Sequence, residues 1–414
     1  MAQHILFLQA AAGGGHHSIT QAISQALLRR RPDLQITARD NQPAMIDKIY
    51  QQINLHGRLL YHSLYRITNQ KYTQTLLDQT TKLSNLPATK RLLKKYRPDL
   101  VVVDEPLSVP VMPLALEQLN LRIPWATIGV DLIDCHSVYF NPATHLFTAP
   151  SLAIYQLAVK HGLQASQIKL TGFPIRSEFF QKTNRAQVRR QLGLQPDKFT
   201  ILFGGSGMGI DNTLEIIIYL GARPARSLLK QLLKSTSQKI NQSLRLLISQ
   251  LLDQDNPLPR PDDLPHFQAI FVTGNNTQLK EQLEQLSFPS YITPLIVGQT
   301  DQMAQYLHAA DLTVGKAGPN LMLESAASLT PFLATYHVKG QEAGNIDYIR
   351  TTGIGWVEEK PAQAAIFIEH LLRHPKVLKQ ALPGLRFTRQ QHQSAADKIA
   401  KHLLSLLAND SSAT

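Results

Sequence analysis

Two doubly wound, Rossmann-like α/β halves are the fold the sequence predicts, and three observations predict it. Short apolar runs alternate with helical stretches, as parallel sheets with crossover helices require. The alternation pauses around Thr171-Gly172-Phe173-Pro174 and restarts near Lys198. At 414 residues the chain exceeds one ordinary core, so two domains are the natural division.

The elements follow in order. His4-Ile5-Leu6-Phe7-Leu8 opens a buried strand over 4–9, a helix covers about 18–31, and Leu34-Gln35-Ile36-Thr37 is the next strand. Ser18 with Gln21 is a capping-box pattern, which places the helix start at Ser18. A long helical region fills 44–96, Asp99–Val103 and Pro124–Val130 read as strands, and a helix lies at about 151–161. In the second half Thr200–Phe203, Ala269–Val272 and Asp311–Val314 each end in a polar or glycine turn. The last 30 residues read as one helix and a polar tail. The expected domains are 1–172, 173–382 with an insertion at about 210–265, and 383–414.

Composition narrows the class. The chain is 43% hydrophobic and 17% charged, as a globular protein is. Its one cysteine, Cys135, excludes an intrachain disulfide framework and suits a reducing compartment. No basic leader and no run of about 18 apolar residues is present, so a cytoplasmic protein without a transmembrane helix is expected.

The formal charge of +12 is unevenly placed. Between Pro43 and Pro98 ten Lys/Arg face only Asp47 and Asp78. Between Ile216 and Leu252 stand Arg223, Arg226, Lys230, Lys234, Lys239 and Arg245, with no acid. Leu228, Leu229, Leu232, Leu233, Ile240 and Leu244 recur there at helical spacing, a cationic amphipathic pattern suited either to a membrane surface or to packing on its own domain. The basic blocks lack the interleaved aromatic platforms of single-strand nucleic-acid binders, so no nucleic-acid partner is expected.

The chemistry-bearing stretches sit at strand ends. "AAAGGGHHS" places Gly14 and Gly15 at the carboxyl edge of the first sheet, where doubly wound sheets bind ligands. His16 then precedes a positively polarised helix end, which favours the neutral imidazole and suits a general base; an ordinary turn histidine is the bland alternative. Neither a G-x-G-x-x-G fingerprint nor a Walker loop is met. Gly204-Gly205-Ser206-Gly207-Met208-Gly209 is a second glycine loop able to approach a diphosphate. In Lys316-Ala317-Gly318-Pro319-Asn320-Leu321-Met322-Leu323-Glu324, Pro319 suits an early helix position and leaves Gly318 and Ala317 at a helix amino end able to face phosphate. Glu324 can reach a ribose diol, and Gln341, Glu342 and Asn345 can read sugar hydroxyls.

Six motifs in order, "GGGHHS", "PDLVVVDEP", "VDLIDCHSVYFNP", "GLQASQIKLTGFPIRSEF", "KAGPNLMLES" and "KGQEAGNIDYI", carry a resemblance. The chain resembles the monogalactosyldiacylglycerol synthase family and the bacterial diacylglycerol glucosyltransferases, which are inverting, family-28-like lipid glycosyltransferases. More distantly it is similar to the enzyme that adds N-acetylglucosamine to lipid I. The resemblance implies a GT-B fold, two Rossmann-like domains facing across a cleft, and a UDP-hexose donor with a lipid acceptor such as diacylglycerol. It implies a peripheral protein on the inner face of a membrane, held partly by anionic lipid, with no bound metal or other cofactor.

By the same resemblance His16 is the base, and Asp131 the alternative base or the group orienting it. Gly205, Ser206, Gly207, Lys316, Gly318, Pro319 and Glu324 fall on the nucleotide side, with Gln341, Glu342 and Asn345 on the sugar. Gly14, Gly15, Pro106, His136 and Tyr139 fall on the acceptor side. Tyr139 replaces a family tryptophan, Glu105 a histidine, and Asn320-Leu321 a glycine-threonine pair beside the diphosphate. The alternative implied by these departures is a nucleotide- or lipid-binding protein of the same fold with weak catalysis. A transferase of N-acetylglucosamine to another lipid is the other.

Overall fold

The computed structural model describes residues 2–10, 14–41, 71–205, 212–224, 264–338, 340 and 342–411. The cationic helix expected within 225–263, the stretch 44–70, and the site residues Ser206, Gly207 and Gln341 lie outside the described residues.

The chain divides into two units. The first comprises Met1–Phe180, Val338–Tyr348 and Arg389–Thr414; the second comprises Gln181–His337 and Ile349–Thr388. Segment 338–348 therefore groups with the amino-terminal residues, whereas the sequence reading places it in the second domain.

In the first unit β1 (His4–Gln9), β2 (Gln35–Asp40), β3 (Leu100–Val103), β4 (Trp125–Ile128), β5 (Leu146–Ala149) and β6 (Ile168–Leu170) form one parallel sheet in the order β2-β1-β3-β4-β5-β6. β1 and β3 are buried along their whole length, which explains why both read as continuous apolar runs rather than as alternation. Each fully buried aliphatic or aromatic side chain in them contributes about 1.5–3 kcal/mol.

The first helix, Gly15–Arg30, starts three residues before the expected Ser18. Gly14 is its N-cap in the left-handed region at φ 69°, and the Ser18 N–H donates to the Gly14 carbonyl at 3.1 Å. A left-handed glycine turns the chain into the helix without a side-chain cap, so the capping box is not used. Of the expected 44–96 helix the described part is Lys71–Tyr96. The single carboxy-terminal helix is instead two, Leu382–His392 and Ala395–Ser411.

The second unit repeats the design. β7 (Phe199–Gly204), β9 (Phe267–Val272), β11 (Ile292–Val297), β12 (Leu312–Lys316), β13 (Phe332–Tyr336) and β14 (Gly355–Val357) run parallel in the order β11-β9-β7-β12-β13-β14. β8 (Arg223–Pro224) and β10 (Leu286–Ser287) make a small antiparallel pair beside it. Strands β7 and β12 approach so closely that a Cβ on Gly315 would stand 2.1 Å from the Gly204 carbonyl oxygen. Gly315→Ala is accordingly expected to cost at least about 2 kcal/mol of stability, read as a lower denaturant midpoint.

Candidate active site

In each sheet the strand order reverses once, between β1 and β3 in the first unit and between β7 and β12 in the second. Ligands of doubly wound sheets bind outside the carboxyl ends of the strands at such reversals. The loops that emerge there are the glycine turn ahead of His16, the Asp104-Glu105-Pro106 corner, the Gly204-Gly205 turn, and Lys316–Pro319.

His16 occupies the first turn of its helix, half-buried, with Nδ1 3.3 Å from Asp104 Oδ1. Asp104 follows β3 and is buried; the Thr20 hydroxyl, one helical turn beyond His16, donates to its other oxygen at 3.0 Å. The 3.3 Å contact lies outside hydrogen-bond geometry and becomes an ion pair only when His16 is protonated; neither atom has a hydrogen-bond partner among the described residues. The Tyr139 hydroxyl donates to the Asp104 carbonyl at 3.2 Å, so this tyrosine fixes the backbone of the corner.

Burial pulls the His16 pKa down, but Asp104, through charge and side-chain contact and aided by Glu105 and Asp131, reverses this and leaves it above 6.5. The direction is opposite to the one a helix amino end alone would impose, because Asp104 is the largest raising influence.

Asp131 is buried and interacts electrostatically with His16, but the carboxylate in contact with the ring is Asp104. Burial, then the Glu342 carboxylate, raises Asp131 to about 7. Glu105 is also raised to about 7, chiefly by burial; its Oε2 accepts from the Leu107 N–H at 2.7 Å. His136 caps the short 3-10 turn Ser137–Tyr139, accepting from the Val138 N–H at 3.3 Å, and burial lowers it to about 4. Pro106 is half-buried beside Glu105, Gly14 is exposed, and Gly15 opens the helix.

Glu342 and Asn345 belong to this first unit and are buried. Glu342 Oε2 accepts from the Val338 N–H at 2.7 Å, and the Asn345 N–H donates to the Glu342 carbonyl at 3.0 Å. A Cβ on Gly344 would meet Ile133 at 2.6 Å, so this glycine lets the turn seat against the Asp131 loop.

In the second unit Pro319 opens the helix Pro319–Ala327 and Gly318 is its N-cap, as the sequence predicts. The amides expected to face phosphate are spent, however. The Ala317 N–H donates to the Tyr336 carbonyl and the Gly318 N–H to the Lys316 carbonyl, both at 2.7 Å. The amides of Asn320 and Leu321 have no backbone acceptor among the described residues, and these are the open donors of the turn. Leu321 is itself buried, with Cδ2 3.1 Å from the positions a Cβ on Gly205 or Gly315 would take. It fills the strand crossing, a packing role that explains an apolar residue there. Glu324 is buried on the same helix and Lys316 ends β12 half-buried. Among the described residues no cluster of three or more His, Cys, Asp or Glu is arranged to hold a metal ion.

Asp104 is the residue that reading the sequence misses. Its signal was available: an acid directly after a fully apolar strand is placed at the ligand edge of a parallel sheet.

Two parallel-sheet Rossmann-like domains of this topology define the GT-B class of glycosyltransferase folds. MurG from Acinetobacter baumannii superposes with a TM-score of 0.53 at 13% identity, covering 97% of this chain and 99% of that one. HepE from Anabaena, solved in complex with UDP and glucose, superposes at 0.52 with 13% identity and the same coverage. Residues 16–175 match the family described as monogalactosyldiacylglycerol (MGDG) synthase. The chain is thus similar to the monogalactosyldiacylglycerol synthases. Monogalactosyldiacylglycerol synthase 1 of Arabidopsis thaliana is 26% identical over 372 residues, 87% of this chain. The probable chloroplastic synthase of Glycine max is 26% identical over 374 residues. The aligned part spans 63% of the length of each.

Proposed function

We propose that the protein transfers a hexose from a UDP-sugar to the hydroxyl of a membrane lipid, with inversion at the anomeric carbon. The observation that carries this reading is the His16–Asp104 pair, held at the glycine turn of a sheet reversal. His16 takes the proton of the acceptor hydroxyl, and the oxygen attacks the anomeric carbon. The bond to the diphosphate breaks with its electron pair leaving on UDP. The imidazolium so formed is stabilised by the Asp104 carboxylate 3.3 Å away.

On the donor side the open amides of Asn320 and Leu321, with Lys316 near them in sequence, meet the developing charge on the diphosphate. Glu324 binds the ribose, and Glu342 and Asn345 read the sugar. No metal or cofactor is invoked. The names of the relatives favour galactose as the sugar and diacylglycerol as the acceptor.

No helix among the described residues is long and apolar enough to cross a membrane. Membrane contact is assigned to the outer face of helix Lys71–Tyr96, where Lys90, Arg91, Lys94 and Lys95 line an open groove. Each such cation contributes about 1 kcal/mol at an anionic surface.

The decisive assay is UDP release with anionic vesicles containing diacylglycerol, offering UDP-galactose and UDP-glucose in turn. Diacylglycerol-dependent release with one donor is expected. Saturable UDP binding without release from either would replace this reading by that of a binding protein.

A further inference from the structure

We propose that the second unit holds another ligand pocket, for a small molecule with an oxyanion head and a short apolar body. It is a depression of about 470 Å³ lined by Phe199, Asp311 and Pro331, where β7, β12 and β13 begin. Because these strands are parallel, this is the edge opposite to Gly204–Gly205 and Lys316–Pro319. Its volume falls in the ordinary range for small-molecule sites, about 300–1,000 Å³.

The head group follows from a charge imbalance. Arg185 and Arg189 share the one carboxylate of Asp311: Arg185 Nη1 lies 2.9 Å from Oδ1 and Arg189 Nη2 2.6 Å from Oδ2. Oδ2 also accepts the Thr200 N–H at 2.8 Å, so this carboxylate is fully engaged. Arg189 is buried and its Nε and Nη1 donate to the carbonyls of Ala309 and Pro196. Arg185 is different. Its Nε and Nη1 are used, but its Nη2 has no partner among the described residues. Its side chain is 43% exposed, so this nitrogen is open to an incoming ligand. Lys379 lines the same pocket, and the further acid there, Asp197, is exposed. Two guanidiniums and an ammonium around one engaged and one solvated carboxylate leave room for an anion, and the planar fork of Arg185 suits a carboxylate or phosphate head.

The apolar body follows from the rest of the lining, which includes Leu329, Pro331, Leu372, Leu378 and Leu382. Leu329 has φ 58°, in the left-handed region, where it closes the helix Pro319–Ala327. The Leu329 N–H donates to the Ala326 carbonyl and the Thr330 N–H to the Ser325 carbonyl, a closing turn in which glycine is the usual residue. A leucine there bears backbone strain that a glycine would not, and its side chain lines the pocket.

Calorimetric titration of the full chain with hexyl phosphate, and separately with hexanoate, tests the assignment, with hexanol as the uncharged control. Saturable binding of at least one anion and none of hexanol is expected, and the anion that binds names the head group. Saturating UDP should leave this binding unchanged, which separates the pocket from any nucleotide site. Arg185→Gln is expected to weaken the anion about tenfold or more. Leu329→Gly should weaken it without lowering the melting temperature. Lys379→Gln, at an exposed position, should weaken it too and serves if Arg185→Gln does not fold. The proposal fails if neither anion binds saturably, if UDP displaces the anion, or if the cation variants bind it as tightly as the parent.

Discussion

His16→Ala is expected to lower turnover by about a thousandfold, within the usual range for removing a general base. Asp104→Asn is expected to lower it almost as far, by about a hundredfold or more, while leaving substrate KM within a few-fold. The two differ in their pH profiles. The proposed mechanism needs neutral His16, whose pKa is raised above 6.5. Activity of the parent should therefore climb with pH through that raised value. In Asp104→Asn the largest raising influence is gone and burial, which lowers the pKa, acts with less opposition. The acid limb of kcat/KM should then move to lower pH even as the rate falls. An unshifted limb would show that Asp104 does not control the ionisation of His16, and near-normal turnover in His16→Ala would remove it as the base.

The second large effect is on stability, and it comes from Asp131. An ordinary aspartate titrates near 3.8, but burial and Glu342 raise Asp131 to about 7 in the fold. Between these values the unfolded chain has released a proton that the folded chain still binds. Stability from this group is therefore full below about pH 4 and declines as pH rises to about 7, the opposite of an ion-paired carboxylate. The difference corresponds to a few kcal/mol, on the order of 4 at most. Asp131→Asn should thus raise the melting temperature clearly at pH 8 and little at pH 4. Equal shifts at both values would mean that the carboxyl is not held protonated by the fold. If Asp131 serves the reaction, the same variant gains stability and loses turnover.

Much of this was legible in the residues. Val101-Val102-Val103 and Leu6-Phe7-Leu8 are buried on both faces of a parallel sheet, so each run announces a strand without alternation. Gly318-Pro319 marks a helix start because proline's missing N–H is harmless only there. The start at Gly15 was hidden because it depends on a left-handed Gly14, whereas Ser18 and Gln21 offered a local pattern that the fold does not use. The His16–Asp104 pair was hidden for another reason. One lies in the first turn of the helix that follows β1 and the other directly follows β3, far apart in sequence, and only the pairing of β1 with β3 brings them together. Nor does local pattern show that the Ala317 and Gly318 amides are consumed, since one of their acceptors, the Tyr336 carbonyl, ends a neighbouring strand.

The helix Ala395–Ser411 packs on the helix that carries His16, with Ala395, Ile399, Ala400, Leu403 and Leu407 buried and Asp397 paired with Arg29 at 3.4 Å. A ribosome making this protein completes the sheet strands of the first unit by residue 170, yet the buttress of the His16 helix emerges only after the whole second unit has been threaded out. The nascent amino-terminal half must wait with an apolar helix face uncovered, and residues 1–180 made alone would keep that face exposed. The helix that carries His16 is thus set on its final support only after the second unit has been made.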